Sequence, residues 1–198
     1  MRYLIAEGYT TPKKLAIEGG SNGGLLMGAM MTEAPELFAV ALSSVGLYDM
    51  IRYHLWPPAE LWVSEYGSAA APKDVGFLLG YSPYHQLVPG LAYPAFFGDT
   101  AESDTRVNWL HTAKFVAALQ AASGGKAPIL FKLERKAGHG QGKAKSDLTR
   151  EYVDKMKFIF SIVGDPALDA KAKVPAVKAP SLKAPAPKVA PAAPAPKN

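Results

Sequence analysis

The chain has 198 residues, a hydrophobic fraction of 48% and a net charge of +5, and this composition excludes a disordered or fibrous class for most of its length. It contains no cysteine, which excludes disulfide frameworks, thiol nucleophiles and cysteine-ligated zinc sites. No apolar run approaches the ~18 residues that a membrane-spanning helix needs, so no such helix is predicted.

The positive charge is concentrated at the end of the chain. Residues 165–198 hold six lysines and two aspartates, which is four of the five net positive charges, so the rest is nearly neutral and gives no sign of nucleic-acid binding. The same segment has eight prolines and no aromatic residue that could seed a core. We predict a folded domain over residues 1–164 and a disordered, extended tail over 165–198. The tail would serve as a solubilising spacer or contact an acidic surface or cell wall.

Apolar segments in residues 1–164 alternate between strand-like and helix-like patterns. Short apolar runs predict four strands, over residues 15–18, 38–42, 93–97 and 128–133. Helical spacing of apolar residues predicts three helices, over residues 22–32, 107–121 and 148–163. The polar, aromatic-rich stretch 48–87 predicts loops and short helices. This alternation indicates an α/β fold with a parallel sheet, in which further strands normally precede the first one counted here.

A glycine-rich turn joins the first strand to the first helix. Gly19, Ser21 and Gly23 fit the Gly-x-Ser-x-Gly pattern of a nucleophile elbow, in which the turn is so tight that flanking side chains would collide. The turn exposes the serine hydroxyl above the sheet, and the N–H of Asn22 would face a developing oxyanion. The pattern alone is weak, because such a turn also suits close packing or a phosphate site. Its position between an apolar strand and an apolar helix favours Ser21 as a nucleophile.

A nucleophilic serine needs a histidine base. Among the four histidines, His54 and His85 lie in the aromatic middle stretch, and His111 falls inside a predicted helix, which favours a structural role. His139 lies in a glycine-rich loop after the last strand, where this architecture places its base.

The orienting acid is expected between the serine and the histidine in chain order. The loop after the third strand offers Asp99, Glu102 and Asp104. Asp104 is also placed to cap the following helix. Spacing alone leaves Asp99 and Asp104 both open.

Several segments, in one order, resemble the prolyl oligopeptidase family over essentially all of residues 1–164. They are Glu18–Leu26, Val45–Met50, Leu61–Gly67, Tyr81–Tyr84, Ser103–Val107 and Ala137–Gly140. The resemblance implies Ser21 as nucleophile, Asp104 as orienting acid and His139 as base, with the backbone N–H of Asn22 in the oxyanion hole.

The resemblance also implies a pocket for a substrate proline. Trp62 would stack on the proline ring, with Leu47, Tyr66 and Val107 lining the rest, and Arg106 would hydrogen-bond a substrate carbonyl. An aromatic plane and apolar walls suit a rigid pyrrolidine ring. Without the resemblance, Trp62 and Tyr66 are more typical of core aromatics and Arg106 of a surface cation.

Four features depart from the family pattern, and two of them are Leu47 in place of a smaller branched residue and the tail over residues 165–198. The family builds its sheet from chain on both sides of a β-propeller, so we expect this chain to lack the early strands, the propeller and the upstream tyrosine that gives a second oxyanion donor. The missing N-terminal part is then a partner that the folded part would associate with. The segment Trp56-Pro57-Pro58 has no role that the sequence assigns.

The sequence therefore predicts a serine peptidase that cleaves short proline-containing peptides after proline, without metal or organic cofactor. A catalytically silent fragment that acts only by association is the alternative from another class. An esterase of the same fold is a third hypothesis. Trp62 and Arg106 disfavour it, because a simple esterase needs neither side chain.

Overall fold

A computed structural model of the chain describes residues 1–135, 137–140 and 144–164. The predicted tail over 165–198 lies outside the described residues. A four-stranded parallel sheet runs in the order β1-β2-β3-β4, built from β1 (Ala16–Gly20), β2 (Val40–Ser44), β3 (Ala95–Ala101) and β4 (Ile129–Glu134). The α/β fold with a parallel sheet flanked by helices is confirmed. No helix within the described residues is both long enough and apolar enough to cross a membrane.

In the part of the chain that the structure describes, six α-helices accompany the sheet: α1 (Arg2–Ala6), α2 (Asn22–Glu33), α3 (Val63–Tyr66), α4 (Pro72–Tyr81), α5 (Leu110–Ala122) and α6 (Lys145–Val163). Short 3₁₀ helices cover Pro12–Lys14, Pro35–Leu37, Tyr53–Leu55 and Ala59–Trp62. The stretch predicted as loops and short helices thus contains two 3₁₀ helices, α3 and the ten-residue α4.

The core lies on both faces of the sheet, because successive strand residues point to opposite sides. On one face, Ala41 and Phe96 pack with Phe115 of α5 and with Met31 of α2. On the other face, the alternate residues of β2 and β3 pack against Phe158 of α6. A buried aromatic stack, with Tyr48 and Phe115 ring centroids 4.4 Å apart, ties the loop after β2 to α5.

A third apolar cluster lies under the region between β2 and β3. It contains Leu25, Leu47, Met50, Tyr53, Ala59, Leu78 and Val107, with Trp62 and Tyr66 partly buried against it. The 3₁₀ helix Ala59–Trp62 and α3 both pack on this cluster, which holds them near the carboxyl ends of the strands. It therefore sets the position of the aromatic side chains beside Ser21.

Candidate active site

Ser21 lies in the tight turn between β1 and α2. Its backbone has φ 57° and ψ −119°, a conformation that a non-glycine residue adopts only when its surroundings impose it. Here the imposing contacts are backbone hydrogen bonds: the N–H of Ser21 donates to the carbonyl of Ser44 at 2.9 Å, and the carbonyl of Ser21 accepts from Gly24 at 2.9 Å. The turn thus holds the serine side chain at the carboxyl edge of the sheet.

The two glycines of the elbow are not equivalent. A Cβ atom on Gly19 would lie 2.3 Å from the carbonyl oxygen of Gly23, whereas a Cβ on Gly23 would have no atom within 4 Å. The expected collision therefore exists on the strand side of the turn only. The helix backbone passes over Gly19, and the Cβ direction of Gly23 points into open space.

His139 connects the serine to a buried carboxylate. Its Nε2 lies 2.9 Å from Ser21 Oγ, and its Nδ1 lies 2.7 Å from Asp104 Oδ2, although Ser21 and His139 are 118 residues apart in sequence. With Nδ1 protonated and facing the carboxylate, Nε2 is left to accept the serine proton. The Asp104 side chain is fully buried, and that of His139 is 20% exposed.

The second oxygen of Asp104 is held by the backbone. Its Oδ1 accepts hydrogen bonds from the N–H groups of Arg106 at 2.8 Å and Val107 at 2.9 Å. These bonds fix the turn between β3 and α5, and α5 begins only at Leu110. The alternative role as cap of that helix therefore does not describe Asp104, which caps the turn before the helix.

The other candidates for acid and base lie elsewhere. Asp99 accepts a hydrogen bond from Ser44 at 2.8 Å and faces the Lys155 amine at 3.4 Å. Glu102 is exposed. His111 is buried, and its Nδ1 accepts hydrogen bonds from the backbone N–H groups of Tyr48 and Asp49, both at 3.2 Å.

His85 and His54 lie in the middle of the chain, as their sequence positions indicate. The Nδ1 of His85 is 2.8 Å from the hydroxyl of Ser82, and burial lowers the pKa of the His85 imidazole. His54 packs edge-on against Tyr53. Within the described residues, His139 is the histidine that contacts Ser21.

A cavity of about 130 Å³ opens beside the serine. It is lined by Ser21, Asn22, Leu47, Trp62, Glu65, Tyr66 and Arg106. An apolar cavity of ~150 Å³ accommodates a benzene ring, so this volume suits a five-membered ring. Besides Ser21, five of the lining residues are predicted from the sequence: Asn22, Leu47, Trp62, Tyr66 and Arg106. Glu65 is not predicted, because an exposed glutamate in a short helix has no distinctive sequence pattern.

Val107 takes a different position from the one expected. It is 2% exposed and packs in the apolar cluster with Leu47, beneath Trp62 and Tyr66, and it is absent from the residues that line the cavity. Its side chain supports the wall of the cavity from below. A sequence pattern cannot separate a lining residue from the one that backs it.

Asn22 directly follows Ser21 and is the first residue of α2, so its N–H has no partner within the helix. Its side-chain oxygen accepts a hydrogen bond from the Tyr66 hydroxyl at 2.7 Å. Burial, and then the nearby Glu65 carboxylate, raise the pKa of the Tyr66 phenol, so this hydroxyl remains a donor.

A second, wider cavity of about 420 Å³ adjoins the histidine. Its lining residues are Pro58, Thr105, Arg106, Gly138 and His139. Arg106 therefore lies in the walls of both cavities. The segment Trp56-Pro57-Pro58, which had no assigned role, contributes Pro58 to this cavity, while Trp56 packs edge-on against His111.

Residues 1–165 match the family model described as the prolyl oligopeptidase family. The chain is 40% identical over 164 residues to the prolyl endopeptidase of Dictyostelium discoideum, covering 81% of this chain and 22% of that protein. It is 39% identical over 167 residues to the prolyl endopeptidase of Elizabethkingia meningoseptica, covering 84% of this chain and 24% of that protein. The chain thus spans about a quarter of the length of these relatives.

Solved structures give the same match. One from a study of two prolyl endopeptidases has a TM-score of 0.80 and 44% identity, covering 82% of this chain and 24% of that one. Prolyl oligopeptidase B from Galerina marginata, bound to a 35-residue hydrolysis and macrocyclization substrate, has a TM-score of 0.79 and 31% identity, covering 82% and 23%.

Proposed function

This chain belongs to the prolyl oligopeptidase family, and from that membership we propose that it hydrolyses peptides on the carboxyl side of proline, with Ser21, His139 and Asp104 as its catalytic triad. The observation that carries the proposal is the continuous contact from Ser21 Oγ through the imidazole of His139 to the buried carboxylate of Asp104. This is the arrangement that activates a serine in unrelated hydrolases.

The three residues of the triad divide the proposed reaction between them. Ser21 Oγ attacks the prolyl carbonyl carbon while His139 Nε2 takes the hydroxyl proton and then delivers it to the departing amine. Asp104 holds the imidazole in the tautomer that leaves Nε2 free and stabilises the imidazolium. The resulting acyl-enzyme is hydrolysed by water, with His139 acting as base a second time.

The N–H of Asn22 is proposed to stabilise the oxyanion. It sits at the amino end of α2, where the helix dipole favours negative charge. The hydrogen bond from Tyr66 to the Asn22 side chain supports this role, because it restrains the residue that carries the donor.

The cavity beside Ser21 is the proposed site for the substrate proline. The apolar side chains of Leu47, Trp62 and Tyr66 surround a volume that suits a pyrrolidine ring. Arg106, on the rim of both cavities, is proposed to hydrogen-bond a substrate carbonyl. The Galerina relative that binds a 35-residue substrate supports a site that admits peptides of tens of residues, and we extend that property to this chain.

Fluorophosphonate labelling tests the proposal. We expect the purified chain to be labelled at Ser21, as read by mass spectrometry, with no label on Ser21→Ala and with protection by an excess of a Gly-Pro amide. Asp104→Asn should lower the labelling rate by about 10⁴-fold, because the imidazole then takes the wrong tautomer.

The alternatives give different results in the same experiment. A folded chain, verified by circular dichroism, that takes no label would overturn the proposal in favour of a silent fragment that acts by association. Labelling of Ser21 that a Gly-Pro amide does not reduce, together with hydrolysis of simple activated esters, would favour an esterase.

A further inference from the structure

The end of the chain has the composition of a substrate for the proposed reaction. Residues 165–198 contain eight prolines, and each is followed by alanine, serine or lysine and never by another proline. Every one of them is therefore followed by an ordinary secondary amide bond. We infer that this C-terminal segment is a substrate of the Ser21 site of the same chain, so that the protein shortens itself after proline. The inference rests on the proposed function.

The shape of the site fits the sequence of the segment. Six of its prolines, at positions 180, 185, 187, 191, 194 and 196, follow an alanine. With the proline ring in the cavity of about 130 Å³, the preceding methyl group is small enough to pass Arg106 on the rim. The wider cavity beside His139 shares Arg106 with the first, so a peptide whose proline occupies the first cavity has the second cavity next to it.

The starting point of the segment is fixed by α6. The carbonyl oxygen of Val163, the last residue of α6, accepts a hydrogen bond from Lys14 Nζ at 2.7 Å. Lys14 precedes β1, so α6 ends at the amino edge of the sheet, whereas Ser21 follows β1 at the carboxyl edge. The 19 residues of α6 span roughly 28 Å at 1.5 Å per residue, which sets the distance that the segment must cover to return.

This distance divides the prolines into two groups. An extended proline-rich chain covers ~3.1 Å per residue, so at least about ten residues are needed to reach Ser21, and a few more to turn around the surface. Pro166 lies too close to the end of α6, and Pro175 is at the limit. The six prolines from Pro180 to Pro196 lie beyond it, and these are the ones that follow an alanine.

The covalent link between the C-terminal segment and the folded domain also favours cleavage within one molecule. Joining a substrate to its site through a short stretch of chain typically gives an effective concentration on the order of millimolar, far above the micromolar concentrations of a purified protein. The rate per molecule should therefore be independent of protein concentration.

The reaction balances with water alone. Ser21 Oγ forms an ester with the prolyl carbonyl as the C–N bond breaks, and the new amine leaves with the proton that His139 carried. Water then hydrolyses the ester, which releases a chain ending in a proline carboxylate and regenerates Ser21. Cleavage after Pro180 removes Lys183, Lys188 and Lys197, so the products differ in charge as well as in mass.

Intact-mass measurement of the purified full chain tests the inference. We expect products that end at Pro180 and at the prolines beyond it, with equal first-order rates at 0.5 and 50 µM protein. Ser21→Ala should keep all 198 residues. A matched variant with the six distal prolines replaced by alanine should keep its full length and hydrolyse a Gly-Pro amide reporter at the wild-type rate.

The reporter separates the two ways of failing. A wild-type chain that hydrolyses the Gly-Pro amide and retains its whole C-terminal segment would overturn the self-cleavage and leave the proposed function standing. A chain that hydrolyses neither the Gly-Pro amide nor its own C-terminal segment would overturn the proposed function, and the inference with it. Cleavage whose rate per molecule rises 100-fold between the two concentrations would overturn the intramolecular route.

Discussion

The two glycines of the elbow offer a test at the level of single atoms. A methyl group on Gly19 would lie 2.3 Å from a backbone oxygen, so the strand and helix would have to separate. We expect Gly19→Ala to lower reporter hydrolysis at least ~100-fold, since a displacement of about 1 Å of a catalytic group can have that effect. Gly23→Ala, whose methyl meets nothing, should retain most activity. Equal losses of hydrolysis in the two variants would contradict the conclusion that only Gly19 is sterically restricted.

This difference shows what spacing can and cannot predict. The pattern of Gly19, Ser21 and Gly23 locates the turn and its serine, because few other arrangements of strand, glycine and helix produce it. It assigns the same steric demand to both glycines. The direction of a Cβ atom depends on the local backbone angles, which a one-dimensional pattern does not contain.

His111 is a second residue whose role depends on its surroundings. Its Nδ1 accepts two backbone N–H groups, so the imidazole must be neutral there. Burial lowers the pKa of His111 to about 4, although the nearby Asp49 acts in the opposite direction and Lys114 reinforces the lowering. The His111 imidazole is therefore protonated near pH 6.5 in the unfolded chain but only near pH 4 in the folded state.

The sign of the pH effect follows from that difference. Between pH 6.5 and 4 the unfolded state binds more protons, so the free energy of unfolding falls as the pH falls through this window. We expect His111 to account for a loss on the order of 3 kcal/mol by pH 4. In urea titrations, His111→Asn, which keeps an acceptor near the Nδ1 position, should lose stability less steeply than wild type. Parallel curves for the two proteins would contradict this.

At the scale of elements, α6 is joined to the sheet by a charge cluster centred on the buried amine of Lys155. Lys155 is 7% exposed and donates to the Ser44 hydroxyl at 2.7 Å, with the carboxylates of Asp99, Glu151 and Glu18 within 3.5 Å. Burial alone would lower the pKa of Lys155, but these three carboxylates outweigh it and raise the pKa. Ser44 also accepts the N–H of Ser21 through its carbonyl, so the cluster lies directly behind the elbow.

Removing the amine should therefore weaken both the helix contact and the elbow. We expect Lys155→Met to lower the free energy of unfolding by about 3 kcal/mol, because the buried carboxylate of Asp99 loses its cation. The exposed Lys157 on the same helix provides the control, and Lys157→Met should change the free energy of unfolding by less than ~0.5 kcal/mol. Chemical denaturation measures both. A Lys155→Met variant as stable as the control would show that the cluster does not join α6 to the sheet.

Element boundaries show why this cluster was not foreseen. The apolar run 93–97 predicts the third strand, but β3 continues to Ala101 through Asp99 and Thr100, which are buried. A buried strand with polar residues has no apolar signature, because its partners come from distant elements. Likewise α5 begins at Leu110, not near Val107, because Asp104 binds the backbone of the turn before it.

At the scale of the molecule, most of the candidate site could be foreseen because each group stands at the carboxyl end of a parallel strand. Ser21 follows β1, Asp104 follows β3 and His139 follows β4, and parallel strands bring their carboxyl ends to one edge. The choice between Asp99 and Asp104 depends on which side chain reaches the histidine. The family resemblance favoured Asp104, whereas spacing alone left both open.

The same sheet leaves one strand with a partner on a single side. Among the described residues, β1 pairs with β2 and with no other strand. Ser21 donates its N–H to Ser44, and Leu15 accepts from Ala39 through its carbonyl, so the odd-numbered residues of β1 face β2. By the two-residue period of a strand, the N–H groups of Ala16 and Glu18 face outward. Such an edge is a template for pairing with another chain.

We expect the chain to self-associate through this edge as its concentration rises, and Ala16→Pro to reduce the association. Proline removes an outward N–H and spares the bonds to β2, and Leu15, at φ −98° and ψ 123°, already has the extended backbone that must precede a proline. Sedimentation velocity measures the association. Ile17→Pro is the matched control, since it removes an inward N–H and should destabilise the fold by more than ~2 kcal/mol. An Ala16→Pro protein that is folded yet associates like wild type would exclude β1 as the contact.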